Sequence, residues 1–91
     1  MSATAASSTI SVTVRYFAAA RAAAGTECET VDVAPGTTIA ELIAALGARD
    51  VELARVLGRC SFLCDGVAVR DRAMGIDPGW SIDVLPPFAG G

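Results

Sequence analysis

Histidine is missing from this chain altogether. That removes the side chain most used for proton transfer near neutral pH and the commonest nitrogen ligand for metals. Histidine-based catalysis and a nitrogen-ligated metal site are excluded. No Gly-x-x-x-x-Gly-Lys phosphate loop and no nucleophile–base pair occurs either, so an enzyme in its own right is not expected. Basic residues are few, seven against ten acidic, for a net charge of −3. They form no cluster, and the electrostatic footprint that nucleic acid requires is absent. An acidic chain instead suits a protein partner with a basic docking face. Apolar residues make up 53 %, but alanine runs at residues 18–20 and 22–24 inflate that figure. No apolar stretch approaches the ~20 residues of a membrane span.

Three cysteines, Cys28, Cys60 and Cys64, stand at spacings that match no zinc or redox pattern. They read as reduced, half-buried structural thiols, since buried cysteine behaves as a small hydrophobe. Ninety-one residues suit one domain with one core. The opening, MSATAASST, lacks the basic and apolar regions of a secretory signal. Residues 1–8 therefore read as a disordered leader, and a cytoplasmic location is expected.

Residues 9–17 alternate cleanly, with Ile10, Val12, Val14 and Tyr16 on one face, which predicts a strand with one side buried. The alanine-rich run after it predicts a short helix closed by Gly25 in the left-handed conformation. Residues 27–33 predict a second, acidic strand at a sheet edge. Thr38 stands three residues before Glu41, the spacing of a capping box. Ile39, Leu42, Ile43 and Leu46 follow as one apolar stripe, with Gly47 expected to close this main helix. A shorter helical turn from an Asp50 cap would turn Leu53, Val56 and Leu57 inward. Asp65-Gly66 between apolar runs signals a type I′ hairpin. Asp77-Pro78-Gly79-Trp80 signals a turn before a last strand that carries Trp80, Ile82 and Val84 on one face. Pro86-Pro87 cannot donate to a ladder, so pairing should stop there.

This order predicts an α+β fold with one main helix packed on one face of a mixed sheet of about four to five strands. Placing the first and last strands together at the centre buries the two most apolar ones. That arrangement is the β-grasp of ubiquitin, expected over residues 9–85, with residues 86–91 as a flexible tail.

The chain resembles the ubiquitin-like sulfur-carrier proteins, the MoaD/ThiS-like family, and within it the small subunits of molybdopterin synthase. Phe17-Ala18, Arg21 and Gly25 carry the resemblance after the first strand. The Thr38/Ile39/Leu42 helix start and the Asp77–Gly79 turn extend it. Above all it rests on the ending Pro86-Pro87-Phe88-Ala89-Gly90-Gly91. Ala22 departs from the acidic residue the family often has there, and Cys64-Asp65-Gly66 from its hairpin asparagine.

The resemblance implies a sulfur carrier for molybdenum cofactor biosynthesis that is not itself an enzyme. An ATP-using, ubiquitin-activating-like enzyme would adenylate the Gly91 carboxylate, and a sulfur donor protein would convert it to a thiocarboxylate. The large subunit of molybdopterin synthase would then receive the tail and pass the sulfur to a pterin precursor. No cofactor bound by the chain itself is implied. Thiocarboxylate carriers for cysteine or thiamine biosynthesis, and a ubiquitin-like modifier joined to lysines, would use the same tail.

The residues suit that chemistry. Gly90 and Gly91 lack a Cβ, so a narrow tunnel could admit them and a nucleophile could reach the acyl carbon from either side. Six residues from Pro86 could span roughly 20 Å. Pro86 and Pro87 lower the entropy lost when the tail is ordered. Phe88 reads as an anchor for a partner's pocket. Leu63 and Leu85 lie opposite the core-facing phase of their strands and form a candidate interface patch.

Overall fold

The computed structural model describes residues 9–87. The leader expected at residues 1–8, and Phe88, Ala89, Gly90 and Gly91, lie outside the described residues.

The elements run β1 (Ile10–Tyr16), α1 (Ala18–Ala24), β2 (Cys28–Val33), α2 (Ile39–Gly47), α3 (Val51–Leu57), β3 (Ser61–Cys64), β4 (Val67–Ala68) and β5 (Ser81–Leu85). They build one five-stranded sheet in the order β2-β1-β5-β3-β4. β1 and β5 are parallel neighbours near its middle, and the other pairings are antiparallel. The fold is the expected β-grasp, with three helices on one face instead of a single dominant one.

Alternation decides which face the helices cover. Val12, Val14 and Tyr16 of β1, Ile82 and Val84 of β5, and Phe62 and Cys64 of β3 all point to the buried side. Ala20, Ile39, Leu42, Leu46, Leu53 and Leu57 from the helices close over them. Burying each larger aliphatic side chain contributes about 1.5–3 kcal/mol. Ile43, Val56 and Trp80 sit at the margin of this core, partly exposed.

The local signals act as read. Thr38 accepts from the Glu41 amide at 3.1 Å and its own amide donates to Glu41 Oε1 at 2.9 Å, completing the capping box. Asp50 caps α3 by accepting from the Leu53 amide at 2.9 Å. Gly25 adopts φ 79° after α1, and Asp65 and Gly66 take φ 48° and 85° in the tight hairpin turn.

Two expectations need correction. Gly47 does not stop α2 in a left-handed turn; it is the last helical residue, and Ala48 follows at φ −67°. Its role is steric: a Cβ there would stand 3.2 Å from Ala54 Cβ and 3.3 Å from Ala54 Cα. α2 and α3 thus pack backbone to backbone at this point. Cys28 is not half-buried but exposed, because it opens the edge strand and points away from the helices, while Cys60 and Cys64 are buried.

Candidate functional site

β5 carries the tail, and its position fixes where the tail starts. It is bonded on both sides, to β1 through Thr13 to Tyr16 and to β3 through the pairs Ser61↔Leu85 and Cys64↔Ile82. The Phe17 amide adds a bond to the Val84 carbonyl at 3.2 Å. The strand ends at Leu85, and Pro86 and Pro87 follow without ladder hydrogen bonds. The two prolines therefore leave the sheet from a strand held by neighbours on either hand. Phe88 to Gly91, the expected reactive and anchoring residues, lie outside the described residues.

Leu63 and Leu85 lie on the sheet face away from the helices, both half-buried. Leu63 stands directly across from Asp83, and Leu85 lies on the next rung of the same face, across from Ser61. On the same face Arg15 of β1 is in register with Asp83 of β5. Their side chains form a two-pronged pair, Nε to Oδ1 at 2.7 Å and Nη2 to Oδ2 at 3.1 Å. The Arg15 guanidinium also lies 5.5 Å from the centre of the Phe17 ring, itself exposed. The open face thus carries an apolar patch around one charge pair. Sequence reasoning placed the two leucines on this face, used Phe17 only for the resemblance, and did not single out Arg15 or Asp83. The outward phase of Arg15 on β1 and Asp83 on β5 was the available signal, once the two strands were set side by side.

Arg21, one of the residues that carry the resemblance, pairs with Glu27 at 3.3 Å, both well exposed. Arg15, Phe17, Arg21, Glu27 and Cys28 line a shallow cavity of about 390 Å³ at the β1–α1 corner. At the tail root, Ala19, Glu52, Arg55, Val56, Arg59, Pro86 and Pro87 line a groove of about 460 Å³.

The start of α2 offers no anion site. Its first amides are already bonded: Ile39 N to Met74 O at 3.2 Å, Ala40 N to Arg72 O at 2.9 Å, and Glu41 N to Thr38. The segment between β4 and β5 supplies these acceptors and so occupies the position where a phosphate would bind a free helix end. The buried thiols are likewise quiet. Burial pushes Cys64 up to about 11, helped by Asp65 and Asp77, and burial also raises Cys60. Thiols shifted this way stay protonated near neutrality and make poor nucleophiles.

The described body thus presents a central strand feeding a tail, with no catalytic cluster assembled beside it. The ThiS family pattern matches residues 14–91, from mid-β1 to the terminal glycine. The chain belongs to the ThiS family. It is a ubiquitin-fold protein of the ThiS/MoaD-like kind, a sulfur carrier or a small modifier.

Solved structures agree on the fold. The HVO 2177 protein of Haloferax volcanii is 29 % identical with a TM-score of 0.81, over 92 % of this chain and 89 % of that one. SAMP1 from Haloferax volcanii is 26 % identical with a TM-score of 0.77, over 89 % of this chain and 99 % of that one. A complex of subunits 1 and 2 of the molybdopterin-converting factor from Helicobacter pylori is similar at 23 % identity and a TM-score of 0.68. That match covers 90 % of this chain and all (100 %) of the matched one, and shows the shared fold. No curated protein matches the chain. Among the described residues no helix is long and apolar enough to cross a membrane.

Proposed function

We propose that this chain is a sulfur carrier that serves molybdenum cofactor biosynthesis as the small subunit of molybdopterin synthase. One observation carries the reading. The family match runs through Gly91, and the residues leading to it leave a central strand anchored on both sides. A stalk fixed at its base and ending in glycines suits delivery of a terminal acyl group into another protein's active site.

In this reading the Gly91 carboxylate attacks the α-phosphorus of ATP on an activating enzyme, and pyrophosphate leaves. A donor supplies sulfur at the sulfide level to the acyl carbon, AMP leaves, and the chain ends in a thiocarboxylate. The large synthase subunit takes the tail and the sulfur passes to the pterin precursor. Water restores the carboxylate. ATP and the catalytic groups belong to the partners; this chain contributes the acyl terminus, Phe88 as anchor, and the face bearing Leu63 and Leu85 as docking surface.

The test is to delete Gly91, or to add one residue after it, and follow ATP-dependent adenylation by the host's activating enzyme. Both changes should abolish adenylation with an unaltered thermal unfolding curve. Unimpaired adenylation would refute the reading.

A second reading, a protein modifier, is favoured by the likeness to SAMP1. It makes a distinct demand, because the chain contains no lysine. Its own side chains cannot accept isopeptide bonds, so modified targets would carry single units and not lysine-linked chains.

A further inference from the structure

The groove beside the tail root holds more positive than negative side chains. Arg55 and Arg59 from α3 and its exit line it, against the single carboxylate of Glu52. Arg55 already holds Glu52 at 3.4 Å. Arg59 has no ion pair among the described residues. A chain of net charge −3 thus places an uncompensated guanidinium where Pro86 and Pro87 leave the sheet. Ala19, Val56 and the two prolines give the groove an apolar wall. A cation just past α3 is favourable toward the helix carbonyl end, which accounts for the arginine but not for its place in this groove.

We infer that the protein which activates the tail seats a carboxylate-bearing segment in this groove, an Asp or Glu pairing with Arg59 while its stem lies on Val56 and Pro86. The inference rests on the proposed carrier function and adds the chemistry of the partner's surface. Charge complementarity and continuity with the tail root are its grounds: any protein that swallows the tail must come against the groove first. The acidic bulk of the chain asks for a basic face elsewhere on the partner. The opposite sign here fixes the orientation in which the tail is presented.

The experiment measures ATP-dependent loading of the full chain by the adenylating enzyme of its own host. Arg59→Glu is compared with wild type and with Arg70→Glu, which makes the same change in net charge at an exposed arginine outside the groove. Arg59→Glu should raise KM by about three- to tenfold, leave kcat unchanged, and change the salt dependence that wild type shows. Arg70→Glu should stay within about twofold, the level of an uninvolved surface charge. Equal KM values for the two variants would overturn the inference. Circular dichroism checks folding, and Arg59→Gln repeats the comparison if the reversal destabilises the chain. If wild type binds the enzyme but is never loaded, the carrier reading fails, and dissociation constants then decide the groove: equal constants for wild type and Arg59→Glu overturn it. No binding at all overturns both.

Discussion

Arg15 and Asp83 face each other across the parallel pairing of β1 and β5, guanidinium to carboxylate at 2.7 and 3.1 Å. The pair is open to water on the Arg15 side, so it contributes little to folding. It does hold two charges in a fixed orientation between Phe17 and Leu63 on the open face. Asp83→Asn should leave the thermal midpoint nearly unchanged while weakening binding of the large synthase subunit about tenfold. Calorimetric titration beside a melting curve checks this; equal affinity would remove the open face from the interface.

Tyr16, Glu29 and Arg49 form the other polar cluster, and here the effect should be on stability. The Tyr16 hydroxyl donates to Glu29 at 2.6 Å, and Arg49 reaches from the α2–α3 link to hold the same carboxylate at 2.9 and 3.1 Å. Arg49, and secondarily Tyr16, hold Glu29 below the usual carboxylate range. A depressed folded pKa gives stability that is present above the unfolded value, near 4.3, and lost as pH falls through the folded one. Burial, with the bond to Glu29, raises Tyr16. Its contribution is complete below the unfolded tyrosine value near 10 and is lost as pH rises toward the folded one. Glu29→Gln should flatten the acid limb of a stability-against-pH curve. Tyr16→Phe should cost about 0.5–1.5 kcal/mol at neutral pH and flatten the alkaline limb. Urea unfolding between pH 3 and 11 reads both (roughly the span of these reference values), and unchanged limbs would contradict the cluster's role.

Gly47 offers a test of packing. Alanine normally favours a helix over glycine by about 1 kcal/mol. At this position the added Cβ meets both Cα and Cβ of Ala54, and backbone cannot retreat as a flexible side chain would. Overpacking of this kind costs about 1–3 kcal/mol. Gly47→Ala should therefore be destabilising on balance, and Ala54→Gly in the same chain should recover part of the loss. A double-mutant cycle from denaturant midpoints measures the coupling.

Phe88→Ala should weaken partner binding by about 2 kcal/mol or more, the scale of an aromatic anchor, with no change in unfolding. An unaltered dissociation constant would remove Phe88 from that role.

The fold was legible in the sequence because its signals are local and mutually consistent. Alternation in β1 and β5, the Thr38–Glu41 box, the Asp50 cap and the Asp65-Gly66 turn each specify one element, and together they leave few ways to close a core. What sequence did not disclose depends on contacts between distant residues. Gly47 resembles a helix stop until Ala54 is placed against it. Cys28 resembles its two buried counterparts until its pairing with Arg15 sets it on the open face. Arg15 and Asp83 are 68 positions apart, and only the register of the parallel strands joins them. Arg59 carries no signal in the sequence, and only the fold sets it beside Pro86 and Pro87.

Intact-mass spectrometry of the chain purified from its native host tests the central claim most directly. A terminal sulfur-for-oxygen exchange should be found, located at Gly91 by fragmentation, and lost when the activating enzyme is removed. A terminus that carries only oxygen in cells actively making the cofactor, whether or not that enzyme is present, would contradict the account.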